Sequence, residues 1–410
     1  MKKIRVGFIG LGARGMVMLR PTVKLFDNVD VVGICDVRQD RIDRAKKLIE
    51  DVRGTTPFCA TDYHEILSLD LDAVMIFTAW EPHIEIAVAA MKAGIRTGLD
   101  VGGAYNIEDC YRLVRAYEET GTHCMLLENC CYGKRELAVL KMVREGIMGE
   151  IVHCAGGYCH NLCSEVTYDG LNKGHYRLRN YTSRNCENYP THEIGPIAKI
   201  LNINNGNRFV SLTSTASKAV GIKAYVKEHL DDLKVLEDVD FKQGDVVTTV
   251  IKCANGETVS ITLDTCLPRN YSRMFTVRGT KGSYFEDMAS FYIEADHGME
   301  HEWDAKAALN NEDEYLDKYK PDVWKKCEEI AVKTGHGGMD YMVLAAFFES
   351  VEKNAVPPID VYDAATWMAI TALSEESILK GSAPVVFPDF TSGKWMVKKP
   401  PQTDLEFNLD

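Results

Sequence analysis

The sequence predicts two folded parts: an N-terminal Rossmann domain with a doubly wound parallel sheet (α/β), and a C-terminal α+β domain with an open, mostly antiparallel sheet and helices. Three observations predict this architecture. A glycine-rich turn follows the first apolar strand, strand and helix patterns alternate up to residue 127, and strand patterns joined by tight turns follow. We place the first domain at 1–127, the second at 128–385, and an extended, proline-containing tail at 386–410.

The first element is an apolar strand at 4–9, followed at once by a glycine-rich turn and a helix at 13–26. In this context Gly10 permits the tight turn, Gly12 lets the main chain approach a pyrophosphate, and Gly15 lets the helix pack closely on its strand. The start of the helix offers free N–H groups to phosphates. The turn therefore predicts a dinucleotide site.

A second apolar strand, at 30–35, ends in Asp36. Its carboxylate suits a ribose 2′-hydroxyl and repels a 2′-phosphate, so the sequence favours NAD over NADP. Arg38 and Arg41 lie near enough in sequence to weaken that preference. We predict that Arg14, inside the glycine turn, also contacts the cofactor.

The remaining elements of the first domain continue the alternation of strand and helix. Beyond those given above, we predict strands at 73–77, 95–99 and 123–127 and helices at 38–51, 62–68, 82–93 and 106–120. The loop after the 73–77 strand faces the ligand crevice, because ligands bind beyond the carboxyl ends of parallel strands. Trp80 in that loop is either a packing partner of the cofactor or a plain loop aromatic, and we predict that His83 contacts the cofactor.

The second domain begins with a predicted helix at 133–146 and continues mainly with strands. The strand patterns lie at 150–158, 209–218, 245–253, 257–265, 272–279 and 282–285. Asn255-Gly256 between two of them is a hairpin signal. Helices return at 339–354 and 361–380, and the first of these either covers the sheet or crosses back to the first domain. The polar residues 296–336 are predicted to form a long excursion.

Composition argues against several classes of partner and site. The net charge of −13 and a pI of about 5.4 argue against nucleic acid and anionic membranes. No run of about 18 apolar residues predicts a membrane span, and no cleavage site follows the N-terminal lysines, so we expect a cytoplasmic protein. The odd count of thirteen cysteines indicates reduced thiols. Cys159, His160 and Cys163 lack a second ligand pair at zinc-site spacing, so we predict no metal.

This arrangement resembles the glucose-fructose oxidoreductase and inositol dehydrogenase superfamily. Its members usually carry Glu-Lys-Pro after the fourth strand, and that lysine assists hydride transfer. The matching stretch here, Leu99-Asp100-Val101-Gly102-Gly103-Ala104, has no lysine. Because a hydroxyl must lose its proton as its carbon loses hydride, this departure weakens the assignment as an ordinary dehydrogenase.

A narrower resemblance, to the NAD-dependent glycosidases of glycoside hydrolase family 109, covers nearly the whole chain. The matching motifs are Thr78–His83, Leu127–Gly133, Gly156–Leu162, Tyr189–Pro196, Asn202–Phe209, Pro268–Arg273, Gly335–Asp340 and Val361–Trp367. The family is typified by α-N-acetylgalactosaminidases. After Tyr158 this chain has Cys-His-Asn-Leu-Cys where the family usually has Gln-His-Asp-Leu-Arg, so an acid and an arginine are missing.

The resemblance implies roles for residues inside these motifs. The implied catalytic residues are His192, Tyr189 and Tyr271, the implied substrate ligands are Glu128, Tyr158 and His160, and we predict NAD contacts from Asp100 and Asn129 in the same motifs. These assignments come from the family pattern and not from spacing.

Taken alone, the residues leave alternatives open. His192, near a predicted helix start, is either a base that accepts a proton near neutral pH or a structural histidine. Glu128, at the domain junction, is either a ligand group or an ordinary ion-paired acid. Tyr271 serves the site or packs at its rim. His336 and Asp340 either form a pocket loop or cap the following helix.

Three functions compete at this point. In a redox-neutral glycosidase, oxidation at C3 of the sugar acidifies the C2 hydrogen, the C1 group leaves by elimination, water adds to C1, and the hydride returns to C3. The alternatives are an NAD-dependent sugar or cyclitol dehydrogenase and a catalytically silent NAD-binding sensor. We expect a small-molecule glycoside as the partner and, because an open sheet needs cover, a homo-oligomer.

Overall fold

The computed structural model describes residues 3–298, 308–398 and 404–409. The first sheet consists of β1 (Ile4–Ile9), β2 (Val29–Cys35), β3 (Phe58–Ala60), β4 (Ala73–Ile76), β5 (Arg96–Leu99) and β6 (Cys124–Leu126). All pairs are parallel, and the strand order β3-β2-β1-β4-β5-β6 is that of a Rossmann fold. The chain reverses its winding between β1 and β4, so their carboxyl ends open onto a ligand crevice. The predicted parallel sheet is confirmed.

The helices of the first sheet are α1 (Ala13–Leu25), α2 (Gln39–Arg53), α3 (Tyr63–Leu67), α4 (Trp80–Lys92) and α5 (Ile107–Thr120). Capping residues determine where these helices begin and end, as α5 shows. The side chain of Asn106 accepts a hydrogen bond from the N–H of Asp109 at the start of α5, and Gly121 in the left-handed region ends it. All five helices were predicted, whereas β3 was not, because a three-residue strand is too short to show alternation.

The second sheet consists of β7 (Ile151–Cys159), β8 (Phe209–Ala216), β9 (Val246–Cys253), β10 (Thr258–Asp264), β11 (Thr276–Gly279), β12 (Gly282–Phe285), β13 (Ser290–Ile293) and β14 (Val385–Val386). Its order is β13-β12-β11-β7-β10-β9-β8-β14. β7 and β10 are parallel and the other pairs are antiparallel, which confirms the mostly antiparallel prediction. Buried and more exposed residues alternate along β9, so the sheet has one covered face.

The helices described after β6 are α6 (Lys134–Arg144), α7 (Gly170–Lys173), α8 (Tyr176–Ser183), α9 (Thr191–Ile200), α10 (Gly221–Glu228), α11 (Leu230–Leu233), α12 (Glu294–His297), α13 (Glu312–Lys318), α14 (Asp322–Ala331), α15 (Met339–Glu352) and α16 (Val361–Leu379). α9 packs on β7, and α16 lies against both α5 and β8. α15 packs on α1, so it crosses back to the first domain, which was one of the two alternatives.

The excursion predicted at 296–336 contains α13 and α14, and its residues 299–307 lie outside the described part. Trp324 of α14 is buried, and its Nε1–H donates to the carbonyl oxygen of Tyr132 at 2.9 Å. This segment is therefore docked on the body of the protein.

The predicted tail is also docked where it is described. The hydroxyl of Tyr132 donates to the carbonyl oxygen of Phe407 at 3.1 Å, and Leu405 and Leu409 are buried. Residues 399–403 and 410 lie outside the described part, and the three domain limits stay predictions. Among the described helices, none combines the length and the apolarity that crossing a bilayer requires.

Candidate active site

The glycine turn after β1 is packed so tightly that two of its glycines cannot be replaced without displacing main chain. Gly10 has a φ of +92°, and a Cβ there would lie 2.5 Å from the carbonyl atoms of Phe77. A Cβ on Gly15 would lie 2.0 Å from the carbonyl oxygen of Gly10. These contacts match the turn and helix-packing roles expected from sequence.

Gly12 differs because a Cβ there would meet no atom closer than ordinary van der Waals contact. The nearest atom to a Cβ there is the Arg41 guanidinium at 3.7 Å, and no side chain caps α1. The main-chain N–H groups at the start of α1 are thus free to meet an anion. This arrangement fits the pyrophosphate of a dinucleotide.

Asp36, at the end of β2, organises the same turn. It is 5% exposed, and its carboxylate accepts the N–H of Leu11 at 2.7 Å and of Arg38 at 3.0 Å. Nη1 of Arg41 lies 3.4 Å away. Asp36 is therefore fixed beside the glycine turn, where the predicted ribose contact requires a carboxylate.

Arg14 and Asp340 are the centre of a polar cluster that joins the two domains. Nη1 of Arg14 lies 2.9 Å from Asp340 and its Nε lies 3.4 Å from Asp100. Asn129 and His336 each lie 2.9 Å from the Asp340 carboxylate. Burial opposes ionisation of Asp340, but the hydrogen bonds and charges of His336 and Arg14 outweigh it and lower its pKa to about 2.

One buried nitrogen of Arg14, Nη2, has no partner among the described residues. An unpartnered guanidinium N–H beside the glycine turn fits an anionic or polar ligand group. Asp340 lies on the first turn of α15 and makes no capping hydrogen bond, so its carboxylate belongs to this polar cluster and does not cap the helix. The predicted NAD contacts of Arg14, Asp100 and Asn129 stay predictions.

Trp80 and His83 lie on the first turn of α4, which begins two residues before the predicted start at 82, so the prediction that Trp80 lies in a loop is wrong. The Trp80 indole packs against Gly102, where a Cβ would lie 2.4 Å from Nε1, and its ring centroid is 4.5 Å from that of Tyr176. His83 is buried with Nε2 3.3 Å from the carbonyl of Ile76, and burial lowers its pKa to about 4. Its contact in this structure is with main chain, and its cofactor role stays a prediction.

Glu128 and His192 form a buried pair. Oε1 of Glu128 lies 2.7 Å from Nδ1 of His192, and it also accepts the N–H of Cys130 at 2.9 Å. Burial opposes ionisation of Glu128, but the charge and hydrogen bond of His192 outweigh it and lower the pKa of the carboxyl. Because an ionised carboxylate only accepts, we infer that Nδ1 of His192 carries a proton, so that in the neutral ring the lone pair lies on Nε2.

Aromatic rings connect the other predicted residues to this pair. The ring of Tyr158 lies 4.2 Å from that of Tyr189 and 4.7 Å from that of His160, and His160 lies 5.2 Å from Tyr271. Tyr189 lies 4.9 Å from His192. Burial lowers the pKa of His160 to about 4 and raises that of Tyr158 to about 12, so both are uncharged at neutral pH. All six residues assigned to catalysis and substrate binding thus lie together.

Sequence reasoning missed Arg177. Its guanidinium is 4.8 Å from the ring centre of Tyr189 and 5.3 Å from that of Trp80, and Nη2 lies 3.5 Å from the hydroxyl of Tyr158. The residue is 4% exposed and pairs with Glu165 at 2.7 Å. A single arginine in a polar stretch predicts a solvated side chain, and only the fold brings these rings around it.

The segment 165–184, which contains α7 and α8, reaches across the first sheet. Arg179 pairs with Glu81 at 2.7 Å, and Nη2 of Arg41 donates to the carbonyl of Lys173 at 3.4 Å. Glu81 follows β4 and Arg41 follows β2, while β1 lies between those two strands. The segment therefore bridges the crevice on either side of the glycine turn, and we call it the bridge segment.

In the described part of the chain, one group of possible metal ligands lies close together. Donor atoms of Glu128, Cys130 and His192 lie within 4.8 Å of one another. Glu128 and His192 already bond each other, and the Arg273 guanidinium, paired with Glu136, lies beside Cys130. A positive charge at that position opposes a second cation, so we assign no metal to this group. The expectation of no metal stays a prediction.

Comparison with protein families divides the chain as the fold does. Residues 4–127 match the oxidoreductase family, NAD-binding Rossmann fold. Residues 132–397 match the glycosyl hydrolase 109, C-terminal domain. An NAD-binding fold is therefore joined to a glycosidase-family domain.

Relatives and solved structures agree with this division. An α-N-acetylgalactosaminidase of Tannerella forsythia is 38% identical over 97% of this chain and 88% of its own length. A glycosyl hydrolase family 109 protein of Stenotrophomonas maltophilia is 38% identical over 97% and 91%. Levoglucosan dehydrogenase in complex with NADH and levoglucosan has a TM-score of 0.69 at 18% identity, covering 95% of this chain and 100% of its own, which shows the shared fold. The chain belongs to glycosyl hydrolase family 109.

Proposed function

We propose that this protein is an NAD-dependent glycosidase that cleaves α-N-acetylgalactosaminides or related glycosides without net oxidation. One observation carries the proposal. The buried pair of Glu128 and His192 lies in a ring of aromatic side chains that also contacts Trp80, at the carboxyl edge of an NAD-binding fold. The substrate class follows from the Tannerella forsythia relative.

His192 is the proposed base. With Nδ1 donating to Glu128, its Nε2 is the nitrogen that can take a proton from the sugar. Tyr189 and Tyr271 are the proposed proton carriers or partners of the C3 oxygen, because burial raises the pKa of both hydroxyls and keeps them protonated. The mechanism needs a base at C2 and a base at C3 of the sugar, and which of the two carbons His192 serves stays open.

The carboxylates described in the site argue against direct displacement. A glycosidase of that kind needs two free carboxyl groups on either side of the bond to be cleaved. Here Glu128 bonds His192, Asp100 lies beside Arg14, and Glu165 pairs with Arg177. Each of these three is therefore committed to a cationic or imidazole partner, and Glu187 and Glu193 are buried and face each other.

The proposed cofactor residues are those of the glycine turn, Asp36, Arg14 and Asp100. Bound there, NAD would supply reversible oxidation of a sugar carbon. Trp80 covers the edge of this region, and Glu128, Tyr158, His160 and Arg177 are the proposed substrate ligands. The departures after Tyr158 alter the polar groups around the substrate, so the sugar specificity is expected to differ from that of relatives with the full motif.

The experiment is hydrolysis of nitrophenyl glycosides by NAD-loaded enzyme in D₂O. The C2–H bond must break if the C1 group leaves by elimination, so the released sugar should carry deuterium at C2. Proton and mass spectra of the product measure this. A sugar that keeps its C2 hydrogen, with no isotope effect from C2-deuterated substrate, refutes elimination.

The same assay separates the alternative functions. A keto-sugar with stoichiometric NADH identifies a dehydrogenase. NAD binding with no turnover on any glycoside identifies a sensor. We also propose a homo-oligomer that covers the open face of the second sheet, to be checked by light scattering during size-exclusion chromatography.

A further inference from the structure

Two glutamates that the proposed mechanism does not use lie against the site. Glu187 is 0% exposed and Glu193, which follows His192 on α9, is 1% exposed. No cation pairs with either carboxyl in the part of the chain that the structure describes. Two buried carboxylates without a cation are strongly disfavoured, so the pair needs an explanation.

The contacts of the two side chains show that most of their carboxyl oxygens make no well-formed hydrogen bond among the described residues. The two carboxyls face each other within hydrogen-bond reach, and three of their four oxygens make no well-formed hydrogen bond among the described residues, although main chain at Leu263 and Thr262 lies near them. The fourth, Oε1 of Glu187, accepts the N–H of Tyr189 at 3.3 Å. Carboxylate oxygens only accept, so one of the two groups must carry a proton and donate it to the other.

Their surroundings tie the pair to both catalytic elements. The N–H of Glu187 donates to Ser374 and its carbonyl accepts from Thr371, both on α16. Glu193 lies on the first turn of α9 with its carbonyl against Gly156 of β7, 3.1 Å from where a Cβ would be. Tyr189 and His192 lie on the short stretch between the two glutamates, so a proton shared by the carboxyls can hold the two ends of that stretch together.

We propose that Glu187 and Glu193 share one proton, and that this acid–carboxylate pair positions Tyr189 and His192 relative to each other. The inference rests on the proposed glycosidase function. Neither glutamate touches the substrate in this account, so both are positioning residues. The pair holds Tyr189 and His192 in position only while it shares a proton, and it loses this function when the proton dissociates.

The pH range follows from the groups that face the pair. Burial raises the pKa of Glu187 to about 8, and burial with the charge of Glu187 raises that of Glu193. Cys159 on β7 also faces the pair, and burial raises its pKa to about 12. The neighbouring residues of α16 offer hydroxyls, and β10 offers main chain at Thr262 and Leu263. Burial raises the pKa of Tyr189 well above its usual value. Between pH 7 and 10, we therefore expect the pair to lose its proton.

The test compares kcat between pH 6 and 10 for the wild type, Glu193→Gln and Glu193→Leu, each loaded with NAD. Wild-type kcat should fall about tenfold per pH unit above pH 8. In Glu193→Gln the amide donates to Glu187 at every pH, so kcat at pH 7 should stay near wild type and the alkaline fall should disappear. Glu193→Leu should lose about 10²-fold in kcat, because the contact that holds the two ends of the stretch 187–193 together is lost.

Glu312→Gln is the matched control, because Glu312 is a buried carboxylate that pairs with Arg135 away from the site. Its pH profile should equal that of the wild type. An unchanged alkaline limb in folded Glu193→Gln overturns the inference, and this variant decides it even if Glu193→Leu fails to fold. Absence of turnover by the wild type would instead refute the proposed function.

A second readout needs no substrate. A carboxyl with a raised pKa stabilises the fold below the ordinary glutamate pKa of about 4.3, and this contribution is lost as the pH rises through about 8. The melting temperature of the wild type should therefore fall over that interval more than that of Glu193→Gln. Parallel curves for the two proteins count against a shared proton.

Discussion

The carboxylate of Glu128 holds Nδ1 of His192 at 2.7 Å, although the two residues are 64 positions apart in the chain. This contact joins the turn after β6 to the start of α9, and so links the last strand of the Rossmann sheet to the helix on the second sheet. It also selects which ring nitrogen is free. The position and the tautomer of the proposed base therefore depend on residues of both domains.

Glu128→Gln should reduce kcat by about 10²–10⁴, the usual contribution of a positioned acid–base group. The amide can donate to Nδ1 and so stabilise the tautomer with the lone pair on the wrong nitrogen. Steady-state kinetics measure the loss, and calorimetry should show unchanged NAD affinity. Turnover at the wild-type rate would contradict the tautomer inference.

His192→Ala should show a loss of the same size, about 10²–10⁴ in kcat, with NAD still bound. The imidazole is the proposed base, while the glycine turn is untouched. If the double variant Glu128→Gln/His192→Ala lost the product of the two single effects, the residues would be acting independently, contrary to the observed hydrogen bond.

Gly12→Val should lose NAD binding, whereas Gly10→Val should lose thermal stability. A Cβ at Gly12 makes only an ordinary contact with Arg41, and the φ of Gly12 suits any residue, so the fold should persist while NAD binding is lost. A side chain at Gly10 meets the main chain of Phe77, so the melting temperature should fall. Calorimetry and thermal unfolding measure both properties. Wild-type NAD affinity in Gly12→Val would refute the placement of the pyrophosphate.

Asp340 should make the protein sensitive to acid. Its pKa is lowered to about 2, so its contribution to stability is present above the ordinary aspartate pKa of about 3.9 and is lost as the pH falls towards 2. The size of this term is about 2 kcal/mol for this fully buried side chain. Unfolding in denaturant at pH 5 and pH 3 measures it. In Asp340→Asn, the free energy of unfolding should change less over that interval.

Sequence predicted the fold well where local patterns decide it. The glycine turn, the individual strand and helix patterns of the first domain and the Asn255-Gly256 hairpin all depend on neighbours in the chain. Arg177 could not be found in this way, because its environment is built from Trp80, Tyr158 and Tyr189 on separate elements. The pairing of Glu187 with Glu193 was missed for the same reason, since a buried glutamate looks like a surface residue until the sheet behind it is known.

The bridge segment has a consequence for the lifetime of the bound cofactor. A dinucleotide seated on the glycine turn lies between the Arg41 and Glu81 anchor points, so its departure requires the contacts of Lys173 and Arg179 to break first. In the proposed redox-neutral cycle the cofactor returns to its starting oxidation state, so slow dissociation of NAD does not lower the turnover rate. One loaded molecule should therefore process many substrate molecules on a single NAD, at a rate independent of the free NAD in solution.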